Sequence, residues 1–407
     1  MKQRFGFSQF LFIVPLLIFI AIFSLWPIAR SFSYTFFDYR LNDQQKSGFY
    51  LSERFNANLF SENCSYLIYF LNDDKTVVSE DLQVEFDRFI AEISEIHEKY
   101  GKYEGVIEIS GEQKDEILRF LSNAAATKAD LYGRAGDVQF YNAEGMDLIL
   151  EDMQTVIIEP NFIGLDGYAA LLKDARAMQA LRQTIVFTVF SVAIELVLGM
   201  ALALIMNMAV KGIGLIRTAG IIPWAIPTAV SALMWSYLYD GSAGIFAYFA
   251  AGIGLIDSPE SMLLTSGGAM ASAIFADVWK TAPYMALLLL AGLQTIDATI
   301  YESASIDGSG RATTFFRITL PLIKSSVLVA LLFRTLDAFR VFDLIYVLTG
   351  GGPGGSTETL SIYAYKLMFA QSNFGYGSIV VIFMFVCVAT IAGIFVKTMG
   401  AGALARS

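Results

Sequence analysis

Histidine, cysteine and charged side chains are scarce in this sequence of 407 residues. It contains one histidine and two cysteines, and 16% of its residues are charged. No second histidine or cysteine lies near His97, so the sequence offers neither the spacing of a metal site nor a Ser-His-Asp set for hydrolysis. Cys64 and Cys387 fall in different predicted parts of the chain, which argues against a disulfide between them. These absences exclude the common zinc-binding and hydrolytic classes.

Nucleotide-binding sequences are also missing. The chain lacks the Gly-x-x-x-x-Gly-Lys-Ser/Thr pattern whose backbone cradles phosphate groups. The glycine-rich run 350–355 has no lysine after it, and we interpret it as a tight turn. The sequence therefore predicts no catalytic residue, no metal site and no cofactor in this chain.

Long apolar runs are what the sequence has in excess. Hydrophobic residues make up 55% of it, against about 45–50% in ordinary soluble domains. A run of about 20 apolar residues is long enough to cross a hydrocarbon layer of about 30 Å. Six such runs occur, at 9–29, 184–206, 218–239, 270–293, 326–349 and 376–396. We predict an all-α polytopic membrane protein with six spans, and we interpret the first run as a retained anchor.

An acidic segment separates the first predicted span from the second. Residues 41–160 contain 10 basic and 24 acidic side chains, a net charge of −14, whereas the rest of the chain has 18 basic and 14 acidic ones. Such a segment is long enough for a small core of its own, and its charge would repel nucleic acid. We predict three parts: 1–40 with the first span, 41–160 as an inserted α+β domain, and 161–407 as a five-span core.

Periodicity predicts the elements of the insert. Apolar residues at helical spacing over 80–99, with acidic residues on the other face, predict an amphipathic helix that carries His97 on its surface. A second helix is predicted over Gln113–Ala125. A further amphipathic helix is predicted over Gly167–Arg182, at the outer surface of the membrane that the protein spans. Aromatic and β-branched residues predict strands at Ser65–Leu71, Tyr103–Ser110, Asp137–Tyr141 and Thr155–Glu159.

Basic residues in the short loops predict the orientation. They occur at both ends of the chain and after the second and fourth spans, at Lys2, Arg4, Lys211, Arg217, Arg311, Arg317, Lys324, Lys397 and Arg406. The loop 240–269 has acidic residues and no basic one. We therefore predict an inner (plasma) membrane protein with both termini in the cytoplasm and residues 41–160 in the periplasm or outside the cell.

The loop 294–325, between the fourth and fifth spans, has an unusual pattern for a cytoplasmic connection. The sequence Tyr-Glu-Ser-Ala-Ser-Ile-Asp-Gly at 301–308 predicts a short helix and a turn, and a second short helix would stop near Pro321. Small residues at 303–305 and at 309 would let another protein approach closely, and Glu302 supplies one fixed charge. The alternative is an ordinary connecting loop.

This loop resembles the EAA signature of binding-protein-dependent ABC importer permeases, which reads Glu-Ala-Ala-x-x-x-Gly followed by Ile-x-Leu-Pro. The matching residues are Glu302, Ala304, Asp307, Gly308, Ile318, Leu320 and Pro321, while Ser303 and Ser309 replace alanines. Further motifs, 161–168, 223–227, 279–283, 342–351 and 375–378, resemble those of the carbohydrate-uptake branch in the same order.

The resemblance implies a six-span ABC importer permease bundle that forms half of a sugar translocation pathway. It implies as partners a second permease subunit, two ATP-binding subunits that hold ATP and Mg²⁺, and an extracytoplasmic sugar-binding protein. It assigns coupling to the ATPase to Glu302, Ser303, Ala304, Asp307 and Gly308. Maltose- and trehalose-type members fit best, and a maltose-type permease carries a large periplasmic domain at the place of the insert.

Ionisable residues inside the predicted spans form a second group of interest, because charge is costly at membrane depth. Glu195, Asp277 and Lys280 lie in the second and fourth spans. Arg334, Asp337, Arg340 and Asp343 recur every third residue, which predicts one ladder of alternating charge on a single helix. One interpretation is a set of structural ion pairs. The other is a sugar pathway, in which Trp235, Trp224 and Tyr346 offer ring faces to a pyranose.

Two other functions remain open on the sequence alone. An outer domain between the first two spans also suits a membrane sensor, although four more spans follow and no output domain is visible. An ion-coupled secondary sugar transporter is the other alternative, although the sequence shows no inverted repeat.

For the insert we predict docking of the binding protein, on the acidic face of the helix 80–99.

Overall fold

The computed structural model describes residues 7–136, 138–208 and 211–404. It divides into two compact units, of which one is Ser33–Gly164 and the other combines Met1–Phe32 with Leu165–Ser407. We call the second the membrane unit and the first the inserted unit. Lys2, Arg4 and Arg406, on which the predicted orientation partly depends, lie outside the described residues.

The membrane unit is built from helices. It begins with α1 (Phe7–Ile20), a π-helical turn and α2 (Trp26–Tyr34). After the inserted unit come α7 (Asp166–Lys173), α8 (Ala175–Met206), α9 (Ile213–Ala225), α10 (Thr228–Leu238), α11 (Ile245–Gly252), α12 (Ser261–Leu264) and α13 (Ser266–Leu293). The chain ends with α14 (Ala298–Ile306), α15 (Arg311–Thr314), α16 (Leu320–Leu322), α17 (Lys324–Phe339), α18 (Asp343–Leu348), α19 (Leu360–Tyr365) and α20 (Phe374–Leu404).

Within the described residues, four stretches of helix are long and apolar enough to cross a membrane as they stand. They are Ile13–Tyr34, Ala175–Met206, Ser266–Leu293 and Phe374–Thr398. Two bent helix pairs are also long and apolar enough to cross a membrane when each pair is counted as one span. They are α9 with α10, and the segment Arg311–Leu322 with α17. The described part of the chain therefore has up to six spans.

The third predicted run is bent rather than straight. Between α9 and α10 the axis turns by 88°. Pro227 has no backbone N–H to continue the helix, and the ring of a proline disfavours helical geometry in the residue before it. Ile226 is accordingly extended, with φ −71° and ψ 132°. Trp224 lies at this break.

The predicted ladder on a single fifth helix is wrong. Helix α17 ends at Phe339, and Phe342 has φ −134° and ψ −67°, which no helix accommodates. Helix α18 then starts at Asp343. Arg334 and Asp337 therefore share a helix, whereas Arg340 and Asp343 lie on and after the break.

The helix predicted over Gly167–Arg182 is also divided. Asp174 separates α7 from α8, and its carboxylate accepts hydrogen bonds from the backbone N–H groups of Arg176 and Ala177. An aspartate at this position satisfies N–H groups that the first turn of a helix leaves unpaired. The cap thus starts a new 32-residue helix where the sequence pattern had continued the old one.

Helices α8 and α13 form the centre of the membrane unit. Gly199 of α8 lies against α13 so closely that a Cβ atom there would be 2.6 Å from the side chain of Met285. Buried alanines continue this contact along α13, at Ala273, Ala276, Ala282 and Ala286. Small residues let membrane helices approach each other, and this close approach brings the acidic residues of α8 and α13 together.

The inserted unit combines a small sheet with four helices. Its elements are β1 (Arg54–Asn56), α3 (Ala57–Asp74), α4 (Glu80–Tyr100), β2 (Val106–Glu108), α5 (Gly111–Arg134), α6 (Ala143–Met153) and β3 (Ile157–Ile158). The antiparallel sheet has the order β2-β1-β3. One face of α4 buries Phe86, Phe89, Ile93, Ile96 and Tyr100 in the core. The helices predicted over 80–99 and Gln113–Ala125 are present, and the second extends to Arg134.

The strand predictions for the insert are partly wrong. Ser65–Leu71 lies inside α3, where Leu67 and Leu71 face the core at helical spacing. Residues 138–140 form no strand, and Asp137 lies outside the described residues. Tyr103–Ser110 contains β2, and Thr155–Glu159 contains β3. Aromatic content alone misassigned α3, because aromatic residues pack as well on one face of a helix as on a sheet.

Candidate functional site

A cluster of ion pairs lies buried between α8, α13 and α17. The guanidinium of Arg334 is 1% exposed and donates from Nε and Nη2 to both carboxylate oxygens of Glu195, the Nη2–Oε1 distance being 2.9 Å. Nη2 also donates to Asp277, and Nη1 donates to Asp337 over 2.9 Å. Thr281 donates to Glu195 over 2.7 Å. Three of the charges predicted on separate spans are thus brought into one site.

The cluster holds more negative than positive charge. Glu195 and Asp277 are buried beside a single buried guanidinium, and the third carboxylate, Asp337, has a side chain that is 65% exposed. Lys280, one turn after Asp277 on α13, points its ammonium at the backbone carbonyl oxygen of Trp224 over 3.4 Å. A buried charge needs a partner, so Arg334 fixes the geometry of the two carboxylates.

A polar cavity of about 280 Å³ opens beside the cluster. The end of α17, the break after it and the start of α18 supply Asp337, Arg340 and Asp343 to its wall. Its lining also includes Lys280 and Trp224, which come from α13 and from the break between α9 and α10. Both helix breaks therefore contribute to a space lined with hydrogen-bond donors and acceptors.

The aromatic residues differ in their access to this cavity. Trp235 is 5% exposed and packs against Tyr239, Phe246, Phe275 and Trp279, so its ring is part of the core. Tyr346 is 44% exposed and stacks on Phe342 at 5.2 Å, outside the cavity wall. Trp224 lines the cavity, is 44% exposed and stacks on Tyr284 at 5.6 Å. Of these three rings, only that of Trp224 is placed to contact a ligand in the cavity.

The loop 294–325 forms the helix and turn that its sequence predicts. Asp297 caps α14 by accepting from the backbone N–H of Thr299, and the helix ends at Ile306. Gly308 follows Asp307 and has φ +74°. Residues other than glycine adopt this backbone conformation only at a cost in free energy. The next helical segment runs from Arg311 through a π-helical turn to Leu322, one residue beyond the predicted stop at Pro321.

The five residues assigned to coupling do not all face outward. Glu302, Ser303, Asp307 and Gly308 are exposed, and among the described residues no hydrogen bond or ion pair is made by the carboxylate of Glu302. Ala304 is 6% exposed, so its small side chain packs within this chain. Beside them Ile306 is 87% exposed, a feature that the sequence analysis did not single out.

A second ionic network, which the sequence analysis missed, holds the segment after α18. The buried carboxylate of Glu358 accepts hydrogen bonds from Nε and Nη2 of Arg176 over 2.8 and 2.9 Å, and from Lys366 over 2.8 Å. Although burial opposes it, these two cations hold the pKa of Glu358 below its usual range. The signal in the sequence was the single pair Glu358 and Lys366 in an otherwise neutral segment. The network fixes the start of α8 to α19.

No group of three or more histidine, cysteine, aspartate or glutamate side chains within the described ranges could hold a metal ion. Cys64 is buried in the inserted unit, where burial raises the pKa of its thiol to about 12. A thiol in that state is unreactive at neutral pH. The side chains that line the cavity offer hydrogen bonds and charge.

Comparison with known proteins identifies relatives of the membrane unit. The model of the family "binding-protein-dependent transport system inner membrane component" matches residues 195–401. The trehalose/maltose transport system permease protein of Thermococcus litoralis is 43% identical over 243 residues, which are 60% of this chain and 81% of that protein. The trehalose transport system permease protein of Mycobacterium tuberculosis is 42% identical over 262 residues, 64% of this chain and 83% of that protein.

Solved structures share the fold of the membrane unit. A bacterial ABC transporter involved in the import of the acidic polysaccharide alginate superimposes with a TM-score of 0.53 at 23% identity, over 59% of this chain and 84% of that one. The alginate transporter in complex with a pentasaccharide-bound periplasmic protein gives a TM-score of 0.51 at 24% identity, over 57% and 81%.

Proposed function

We infer the role of this chain from its family: it belongs to the binding-protein-dependent transport system inner membrane components, and it is a permease subunit of an ABC sugar importer. The observation that carries the proposal is that the matched residues 195–401 contain the buried ion cluster, the cavity beside it and the loop 294–325. The membrane sensor and the ion-coupled transporter are not favoured.

We propose that the chain forms half of a translocation pathway together with a second permease subunit. Two ATP-binding subunits would hold ATP and Mg²⁺ and would dock on α14, and this chain would hydrolyse nothing itself. A sugar-binding protein would deliver the substrate from outside. Reconstitution in vesicles tests this: uptake should require ATP inside and binding protein outside, and it should survive the collapse of ion gradients by ionophores. Uptake that an ionophore abolishes would favour the secondary transporter.

We propose an orientation in the inner membrane with both termini in the cytoplasm and residues 41–160 outside. Basic residues in the connections on one side and their absence from the loop 240–269 support it. It places the loop 294–325 on the side where ATP is available. Labelling of single cysteines with a membrane-impermeant thiol reagent in intact cells tests it, since position 257 should react and position 302 should not.

Trehalose or maltose is the proposed substrate class. The trehalose/maltose permease of Thermococcus litoralis and the trehalose permease of Mycobacterium tuberculosis, both similar to this chain, support it, and the cavity fits the chemistry of a neutral sugar. Carboxylates and cationic groups alternate on the wall, so hydroxyl groups find both acceptors and donors, while Trp224 offers a face to the apolar side of a pyranose. Competition for uptake between radiolabelled trehalose and unlabelled sugars would identify the ligand.

The cavity wall gives a prediction that separates a sugar contact from a structural role. We expect Asp343→Ala to lower sugar uptake about tenfold, since a hydrogen bond to a charged group is worth about 1.5–3 kcal/mol. Thermal stability should stay native because the Asp343 side chain is exposed. The matched control is Asp257→Ala, an exposed aspartate away from the cavity. Native uptake by the Asp343 variant would remove this residue from the pathway.

We propose that the inserted unit is a docking module for the binding protein. Its net charge of −14 over 41–160 can steer a partner with a basic face, an effect that salt screens beyond about 8–10 Å. The structure offers a clean deletion, because the side chain of Gln45 donates a hydrogen bond to the backbone carbonyl oxygen of Thr155. The two ends are adjacent, so a short glycine linker can replace the residues between them.

We expect deletion of 46–154 to raise the concentration of binding protein needed for half-maximal uptake about tenfold, the ratio that corresponds to about 1.4 kcal/mol. Saturating binding protein should restore the rate. High salt should raise this half-maximal concentration about as much in the native complex as the deletion does. In the deleted complex, high salt should raise it less. Uptake that does not change on deletion, at limiting binding protein and low salt, would show that the acidic domain serves only solubility.

A further inference from the structure

One surface of the inserted unit, between α3 and α6, exposes apolar side chains that a soluble domain would ordinarily bury. Tyr66 and Tyr69 on α3 are 47% and 66% exposed. Tyr141, just before α6, and Leu148 on α6 are each 67% exposed. We call these four residues the aromatic face.

Helices α3 and α6 run antiparallel, which brings the four residues onto one surface. Asn63, near the start of α3, donates from Nδ2 to Asp152 at the end of α6 over 2.7 Å. At the other end Asn142 donates to Asp73 over 2.9 Å. Tyr66 and Leu148 therefore lie about one third of the way along the pair, and Tyr69 and Tyr141 lie nearer its other end.

Phe70 fills the space beneath the aromatic face. Its ring centroid is 6.3 Å from that of Tyr66 and 6.0 Å from that of Tyr69. It also contacts α6 at Gly145, where an added Cβ atom would lie 3.0 Å from the ring. Tyr66, Phe70 and Tyr69 thus form a layer of rings in contact on α3, with Leu148 of α6 one turn beyond the glycine.

Carboxylates surround the aromatic face. Helices α3 and α6 contain no lysine or arginine. Their exposed acidic residues are Glu62, Asp73, Glu144, Asp147, Glu151 and Asp152. Asp147 pairs with Lys128 of α5. A second copy of this acidic unit, or a membrane with anionic headgroups, would be repelled, and a protein with a basic surface would be attracted.

We propose that the aromatic face is the contact for a basic surface of the extracytoplasmic binding protein. This inference rests on the proposed function of the importer and names the part of the inserted unit that binds. Exposed tyrosine rings accept arginine and lysine side chains through cation–π contacts, and tyrosine is enriched among residues that dominate binding energy. The surrounding carboxylates orient the same basic side chains.

The acidic face of α4, which the sequence suggested as the contact, is a weaker candidate. Its carboxylates are partly neutralised within the unit, because Glu85 pairs with Arg134 and Asp87 pairs with Lys75. No ring is exposed among the acidic residues of this helix, whose large exposed apolar side chain is Val84. A solvated face of this kind keeps a domain soluble but offers a partner little apolar area.

The test uses the complete importer in lipid nanodiscs, with the binding protein that stimulates its ATP hydrolysis as the probe. The double variant Tyr66→Ser with Tyr69→Ser is compared with Val84→Ser, an exposed apolar residue of α4, and with Glu92→Gln with Glu95→Gln on the acidic face of α4. We expect the tyrosine variant to raise the half-stimulating concentration of binding protein at least about tenfold, with the maximal rate and the unfolding temperature unchanged. The two α4 variants should stay within about twofold of native.

Each alternative result decides between the proposals. If the tyrosine variant has the same half-stimulating concentration of binding protein as the native complex, the aromatic face is not the contact. The proposed function is then left intact. If the α4 variant at positions 92 and 95 raises the half-stimulating concentration equally, charge alone carries the docking. That result also overturns the proposal for the aromatic face. A native complex that no binding protein stimulates overturns the proposed function itself. A lowered unfolding temperature calls for Tyr66→Phe with Tyr69→Phe, which should bind as native if the ring faces carry the contact.

Discussion

Replacing Arg334 by leucine is expected to destabilise the permease severely. The substitution leaves the carboxylates of Glu195 and Asp277 buried without their cation, and breaking a buried ion pair from one side costs about 3–5 kcal/mol. That is a large fraction of the stability of a typical domain. We expect a sharply lower yield of folded complex and a lower unfolding temperature in detergent, measured by light scattering and intrinsic fluorescence.

Arg340→Leu is the matched control. Arg340 lies six residues later and is exposed, and its Nε donates to the backbone carbonyl oxygen of Leu336. Its removal should change the unfolding temperature little. An Arg334→Leu complex as stable as this control would contradict the scaffold role of the cluster.

A compensated variant then separates structure from transport. The triple change Glu195→Met, Asp277→Leu and Arg334→Met replaces the three buried charges of the cluster by apolar side chains, and such a replacement of a whole buried ion pair is often neutral or stabilising. We expect stability to return. Sugar uptake that returns with it would define the cluster as a scaffold for the cavity, whereas a stable but inactive complex would place its charges in the pathway.

Glu302→Lys and Gly308→Val are expected to uncouple the permease from its ATPase while leaving it folded. Glu302 is exposed and unpaired among the described residues, so its reversal should not disturb this chain, yet it would place the wrong charge in the surface that we propose for docking of the ATPase. Losing one member of a buried charged contact between proteins weakens binding by about 2–5 kcal/mol, which is about twentyfold or more. Sugar-stimulated ATP hydrolysis should fall accordingly.

Gly308→Val acts through the backbone. Nothing lies within 4 Å of a Cβ atom at this position, so space does not forbid the change, but φ is +74° and a β-branched residue is strained there. The matched control is Gly310→Val, since a Cβ atom there is equally free and φ is −72°. Membrane insertion should be native in all three variants, and the unfolding temperature should be native in Glu302→Lys and Gly310→Val. Full stimulation in Glu302→Lys, or an equal loss in Gly310→Val, would remove the coupling assignment.

Much of the architecture could be predicted because membrane helices are defined by their own composition. The apolar runs at 184–206, 270–293 and 376–396 correspond to α8, α13 and α20, since the hydrocarbon thickness fixes the length that each must reach. The helix α4 was predicted from spacing in the same way. The loop 294–325 was predictable because its helix, turn and glycine follow from local backbone preferences, and its resemblance to a known motif named its role.

The site was predictable in its residue types but not in its arrangement. Glu195, Asp277 and Arg334 were singled out because charge in a span is rare, yet their meeting depends on three helices far apart in sequence. The ladder failed for a similar reason: spacing of three assumes a continuous helix, and the break at 340–342 is decided by packing around it. Trp235 and Trp224 look alike in the sequence, and only their neighbours make one a core residue and the other a cavity wall.

By itself, the sequence determined that this protein spans a membrane, that an acidic domain interrupts it after the first span, and that the loop 294–325 forms a short helix followed by a glycine turn. These properties depend on composition and on short-range geometry, which neighbouring residues fix. The tertiary structure decided which charges are paired, that residues at both helix breaks line one polar cavity, and that an aromatic face lies between α3 and α6. Such features arise from contacts between residues up to 182 positions apart, as between Arg176 and Glu358, and no local pattern encodes that distance.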